Sequence, residues 1–199
     1  MMITSSVPNE GKSFVALNLA TSIAMGVDHA VLLVDADSMK ADVSGRLGIH
    51  DRAGLTDLLR RRTTDLEDLI INTSLPNLAV LPCGPRDQNL TELYGSDGMA
   101  ALADEMSERY RSGIVIVDSP PLLAVSGSSA LAPLMGQIVV VVEAQKTGEA
   151  ELQQALQQLE DCPSVALVFN KTHRKSHMEF QYKYHEYYQE PTSTSVLRL

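Results

Sequence analysis

Ser6-Val7-Pro8-Asn9-Glu10-Gly11-Lys12-Ser13 is the stretch on which the reading of this chain turns. It follows a short apolar run, Met1 to Thr4, read as a strand. It opens a helical segment from Lys12 to Met25, with Val15, Leu19 and Ile23 on one face. The segment fits the pattern G-x-x-x-x-G-K-[ST] except at its first position, where Ser6 stands for glycine. The residue types suit one task. Backbone N–H groups of a tight loop and of a helix start cradle phosphate oxygens. Gly11 lets the backbone come close, Lys12 reaches terminal phosphates, and the Ser13 hydroxyl suits Mg²⁺. Asn9 tolerates a left-handed backbone better than most residues. The competing reading is a strand-to-helix turn that binds nothing.

Two apolar strands bring carboxylates toward this loop. Val31-Leu32-Leu33-Val34-Asp35-Ala36-Asp37 ends in two of them, and Ile114-Val115-Ile116-Val117-Asp118 ends in one. Ligands of an open parallel sheet bind beyond the C-terminal ends of its strands, so Asp35, Asp37 and Asp118 are expected to converge there. Such carboxylates hold Mg²⁺ largely through its waters. One of them can also take the proton of an attacking hydroxyl or water. Any one alone reads better as a turn or helix cap; three together with the phosphate loop do not.

Outward from these motifs, β-branched apolar runs alternate with helix-period segments. That is the pattern of an α/β fold, a doubly wound and mainly parallel sheet flanked by helices. Strands are expected at Ala30 to Val34, Leu78 to Leu81, Ile114 to Val117, Ile138 to Val142 and Val165 to Phe169. Helices are expected at Gly54 to Arg61, at Gly98 to Tyr110 with Met99, Leu102, Met106 and Tyr110 facing the core, and at Gly148 to Glu160. The 199 residues allow one domain, taken as 1–171, and a tail, 172–199. A net charge of −9 argues against nucleic acid as the main partner. No apolar run approaches the roughly 20 residues that cross a bilayer, no cleavable signal segment is visible, and a cytoplasmic domain is expected. Cys83 and Cys162 lack metal-ligand spacing and read as reduced thiols.

After Lys171 the apolar periodicity ends, and Tyr182, Tyr184, Tyr187 and Tyr188 sit among Lys183, His185, Glu186 and Gln189. The pattern favours an exposed tail. The basic clusters Arg60-Arg61-Arg62 and His173-Arg174-Lys175 read as solvated faces, with contact to acidic lipid or an acidic neighbour as the sharper alternative.

The loop Thr4 to Ser13 resembles the Walker A segment of bacterial tyrosine kinases, the BY-kinases. Val31 to Asp37 resembles their second Walker motif, and Ile114 to Pro121, with Asp-Ser-Pro-Pro, their Walker B. Leu78 to Gly84, Thr91-Glu92-Leu93 and Met135-Gly136-Gln137 extend the likeness over nearly all of residues 1 to 171. It is nearest to the autokinases of exopolysaccharide export and exosortase systems, within the MinD/ParA-like class of P-loop ATPases. The resemblance implies MgATP as substrate and phosphorylation of a C-terminal tyrosine cluster, mostly between subunits. It also implies a membrane polysaccharide copolymerase as partner, at the inner face of the membrane. Carried over by motif, Asn9, Glu10, Gly11, Lys12, Ser13 and Phe14 bind ATP, and Asn170 falls where related ATPases contact adenine. Ser13, Asp37 and Asp118 would hold the metal, and Asp35 would be the base. Tyr182, Tyr184, Tyr187 and Tyr188 would be the acceptors. For Asn170, a strand-end polar group that satisfies backbone is the alternative.

The chain departs from the family in places. Many members carry Gly where Asn9 stands, and Arg where this chain has Met39 followed by Lys40. Lys40 can replace that arginine only as a point charge. Many also carry an N-terminal segment that helps build a ring, whereas this sequence opens on its first strand. Two other functions compete. One is a MinD/ParA-like ATPase with water as acceptor, though such proteins usually carry a further lysine early in the loop. The other is a regulatory module that binds ATP without phosphotransfer.

Overall fold

The computed structural model describes residues 1–26, 29–60 and 65–172. The strands are β1 (Met2–Ser5), β2 (Val31–Asp35), β3 (Ile71–Asn72), β4 (Leu78–Leu81), β5 (Ile114–Asp118), β6 (Ile138–Glu143) and β7 (Val165–Asn170). The helices are α1 (Lys12–Ala24), α2 (Asp42–Arg46), α3 (Leu55–Leu59), α4 (Leu66–Leu69), α5 (Leu90–Tyr94), α6 (Asp97–Arg109), α7 (Gly127–Leu131) and α8 (Glu149–Gln157). A 3₁₀ turn, Ala132–Leu134, follows α7.

The strands form one sheet in the order β3-β4-β2-β5-β1-β6-β7. Every pairing is parallel except that of β3 with β4. Alternate strand residues serve opposite faces, and both faces are covered. Ile3, Leu33, Ile116 and Val141 belong to one buried cluster, and Met2, Leu32, Val34, Val117 and Val140 to the other. Burial on both sides is why these strands read as continuous apolar runs rather than alternating ones.

Helix α1 packs on β1, β2 and β5. Its fully buried stripe is Ala16, Ala20 and Ala24, while the expected Val15, Leu19 and Ile23 are half-buried beside it. The helix is therefore turned by about one residue, or about 100°, from the bulky face read in the sequence. The small side chains let its axis lie close to the sheet. Helix α6 matches its expected face at Met99, Leu102 and Met106, which are buried, with Tyr110 partly so. Its start is capped by Ser96, whose Oγ accepts from the Met99 N–H at 3.2 Å.

Strand β7 forms an edge rather than a buried strand, with Leu167 and Phe169 exposed. The short elements α2, α4, α5, α7 and β3 carry too few residues to show a period. Cys83 and Cys162 are both free thiols. Burial pushes Cys83 up to about 11, which makes it unreactive. The tail tyrosines Tyr182, Tyr184, Tyr187 and Tyr188 lie outside the described residues, as do Arg61, Arg62 and His173 to Lys175.

Candidate active site

The sheet order puts β1 between β5 and β6, and the chain leaves β1 toward β2 on one side while β6 and β7 extend on the other. That is the switch point at which open α/β sheets form a crevice. The phosphate loop fills it. Asn9 (φ 71°) and Gly11 (φ 101°) take left-handed backbone, whereas Ser6 does not, so serine is tolerated at the first motif position. Gly11 has a second constraint. A Cβ there would stand 2.0 Å from Asn170 Nδ2.

The end of β7 braces the loop from outside. The Asn170 amide donates to the Glu10 carbonyl at 2.8 Å, and Lys171 Nζ donates to the Asn9 carbonyl at 2.6 Å. Glu10, expected among the ATP-binding residues, is buried with its carboxylate turned away from the cavity. Its Oε2 accepts from the Val7 N–H at 2.7 Å.

Asp35 and Asp118 are register partners at the ends of β2 and β5. Parallel pairing thus brings the two acidic motifs together, but their carboxylates face different partners. Asp35 is fully buried and saturated: its Oδ2 accepts from the Ser44 N–H at 2.8 Å and from Ser44 Oγ at 2.6 Å, and its Oδ1 accepts from the Asp37 N–H at 3.2 Å. Burial raises its pKa against the pull of these donors. All three carboxylates lie at the strand ends close enough to act on Lys12, but only Asp37 and Asp118 are within ion-pair distance of it. Asp35 holds the start of α2, while Asp37 and Asp118 meet Lys12.

Lys12 Nζ lies 2.7 Å from Asp37 Oδ2 and 3.6 Å from Asp118 Oδ1, and it donates to Ser13 Oγ at 3.1 Å. Burial works against its charge, but Asp118 and Asp37 outweigh it and leave its pKa raised. Asp118 is 0% exposed, and neither of its carboxylate oxygens has a hydrogen-bond partner among the described residues. Burial pushes it up to about 7, with Lys12 opposing. A buried carboxylate with no hydrogen bond among the described residues, whose cation Lys12 stands 3.6 Å away, is one that a second, closer cation would stabilise.

These groups open on a cavity of about 710 Å³, lined by Gly11, Lys12, Ser13, Phe14, Asp37 and Asn170 among others. That volume lies within the usual range for ligand sites. Lys40 reaches the same cavity, and its Nζ donates to Asn9 Oδ1 at 3.1 Å. Asp37, Asp118 and Ser13 offer the hard oxygens that Mg²⁺ takes. Among the described residues no three acidic, His or Cys side chains form a ready-made metal cage.

Sequence reading missed Ser44, which fixes Asp35, and Tyr94, whose hydroxyl donates to the carbonyl of Ala36 between Asp35 and Asp37. Neither belongs to a motif. A tyrosine amid apolar residues on a five-residue helix gives no signal of its own.

No family model matches the chain. It is similar to the tyrosine-protein kinase YwqD of Bacillus subtilis, with 34% identity over 184 residues, 92% of this chain and 76% of that protein. It is also 34% identical to the tyrosine-protein kinase ptk of Acinetobacter johnsonii over 79% of its own length, but spans only 21% of that longer protein. Among solved structures, the VpsO kinase domain superposes with a TM-score of 0.74 at 32% identity, over 83% of this chain and 82% of that one. MinD in the Aquifex aeolicus MinC:MinD complex shares the fold, with a TM-score of 0.72 at 19% identity over 90% of this chain and 71% of that one.

Proposed function

The chain belongs to the bacterial tyrosine kinase family, and on that premise we propose that it is an autokinase that moves the γ-phosphate of ATP to tyrosines of its own C-terminal segment. The observation that carries this reading is the buried Lys12–Asp37–Asp118 group, in which Lys12 and Asp37 line the cavity behind the phosphate loop and Asp118 lies 3.6 Å from Lys12, off the lining. ATP phosphates entering that cavity would compete for Lys12 and draw it from Asp37. The Asp37 carboxylate, released on the cavity wall, becomes the base that accepts the tyrosine hydroxyl proton. The bond from that oxygen to the γ-phosphorus forms as the bond to the β-phosphate oxygen breaks, and ADP leaves. Asp37 takes the role expected of Asp35, because Asp35 is enclosed by Ser44 and does not line the cavity. Mg²⁺, when bound through Asp118 and Ser13, would supply charge neutralisation for the phosphates and leave Asp37 free as the base.

The acceptors in this reading are Tyr182, Tyr184, Tyr187 and Tyr188, phosphorylated mainly between subunits. Among the described residues no helix is long and apolar enough to cross a membrane. On the family resemblance, its partner would be a membrane polysaccharide copolymerase at the inner membrane face; the chain spans only 21% of the relative ptk. Control of exopolysaccharide synthesis or export would follow from that position. A mixing experiment tests transfer between subunits. A chain with all four tail tyrosines changed to Phe is incubated with MgATP and a Lys12→Met chain that keeps them. Phosphotyrosine on the Lys12→Met chain is the expected result. Its absence, with phosphorylation intact in the wild type, would restrict transfer to within one chain.

A further inference from the structure

Glu10 is the one buried carboxylate at the phosphate loop that takes no part in the lysine–aspartate group. It is 1% exposed, and both of its oxygens are engaged. Oε2 accepts from the Val7 N–H at 2.7 Å, within the loop itself. Oε1 accepts from the Thr147 hydroxyl and from the Glu143 N–H at 3.3 Å, in the segment joining β6 to α8. Thr147 Oγ in turn accepts from the Glu143 N–H at 3.0 Å, so the hydroxyl both receives and donates in one chain of bonds. The same segment is tied to the end of β7, since the Ala144 N–H donates to the Asn170 carbonyl at 2.9 Å and Lys171 Nζ reaches Glu143 Oε2 at 2.9 Å.

Three loops distant in sequence are thus joined around the outer face of the phosphate loop. Neither Glu10 nor Thr147 lines the cavity, whereas Gly11, Lys12 and Ser13 do. The Glu10 carboxylate fixes the outer side of the loop, and the loop's inner N–H groups are thereby held toward the cavity. A charged acceptor with two donors on opposite oxygens is the right chemistry for that task. An amide there would present a donor to one of the two and lose it.

We propose that Thr147 is a positioning residue for phosphate transfer, acting through Glu10 to hold the phosphate loop in the shape that receives the nucleotide. The role in transfer rests on the assignment of this loop as the MgATP site. Removing the hydroxyl strips a charge-assisted bond from a buried carboxylate and leaves Glu10 Oε1 with only the 3.3 Å bond from the Glu143 N–H, which loosens the loop on that side. Binding of phosphates should suffer, and the chemistry of a correctly bound nucleotide should not.

The test uses the full chain with Thr147→Val, which keeps the shape, and Thr147→Ser, which keeps the hydroxyl. The probe is N-methylanthraniloyl-ATP with Mg²⁺, beside steady-state tail phosphorylation and amide hydrogen exchange without nucleotide. Thr147→Val should weaken probe affinity and raise KM for ATP about tenfold, with kcat within about twofold. Exchange should quicken together in residues 6–12 and 143–147. Thr147→Ser should restore all of these. Wild-type affinity and exchange in Thr147→Val would overturn the proposal. So would equal losses in KM and kcat, with a lowered Tm and no rescue by serine. Failure of the wild type itself to bind the probe would instead remove the nucleotide assignment and with it the role in transfer. The exchange data would still decide whether the clamp holds the loop.

Discussion

At Asp118 the folded chain keeps a carboxyl group that water would rather have ionised. Its pKa is pushed up to about 7, whereas the unfolded chain releases the proton near the ordinary carboxylate range. Between those two limits the folded state binds more protons than the unfolded one, so this group's contribution to stability falls as pH rises through the window. Asp118→Asn should accordingly raise Tm at pH 8 and change it little at pH 4, as thermal unfolding at the two pH values would show. The same group must be ionised to receive a cation. MgATP affinity should weaken as pH falls below about 7, by up to roughly tenfold per unit, and titration calorimetry at pH 6 and 8 checks the sign. The two aspartates of β2 separate by role. Asp37→Asn should lose phosphate transfer by roughly 10²–10⁴-fold and also lower Tm, because it breaks a buried ion pair with Lys12. Asp35→Asn turns one of its two acceptor oxygens into a donor, so it loses either the Ser44 donors or the Asp37 N–H, and should cost about 1–3 kcal/mol of stability in denaturant titration. Both sites were legible as acidic strand ends. Their different duties were not, because Ser44 comes from α2, whose five residues follow a left-handed Ala41 and carry no period.

Among the elements, α1 shows what periodicity reveals and what it hides. The helix and its start at Lys12 were legible from the loop motif and the spacing of apolar residues. Its rotation was not, since Val15, Leu19 and Ile23 repeat with the same interval as Ala16, Ala20 and Ala24. Close approach to the sheet selects the alanines, which only the packed structure displays. Ala20→Leu should overpack this contact and cost about 1–3 kcal/mol, a fall in Tm of a few degrees. The strands were legible because burial on both faces gives unbroken apolar runs, whereas β7 reads the same way and yet stands at the edge. Composition alone does not order strands across a sheet. Within the loop, Gly11→Ala would force a Cβ onto Asn170 in a backbone region that alanine avoids, a strain of order 1–3 kcal/mol. Weaker nucleotide binding with a largely preserved fold is expected, read by probe affinity beside circular dichroism.

Across the whole molecule, one doubly wound sheet places its phosphate loop, its acidic strand ends and the end of its last described strand at a single crevice. The tyrosine cluster follows that strand in the sequence by about a dozen residues, a length that spans at most roughly 40 Å when extended. In the autokinase reading proposed above, that length would be what lets an acceptor enter a neighbouring subunit's crevice. Each phosphate added there brings roughly −1.5 to −2 charges to a chain already at −9, which opposes further association of subunits. An autokinase must hand phosphate from this crevice to its own tyrosines. Intact mass of the full chain before and after MgATP, beside a Lys12→Met variant, measures this directly. The account predicts increments of about 80 Da in the wild type alone, mapping to Tyr182 to Tyr188. ATP hydrolysis in the wild type without any mass increment would contradict it and leave water as the acceptor.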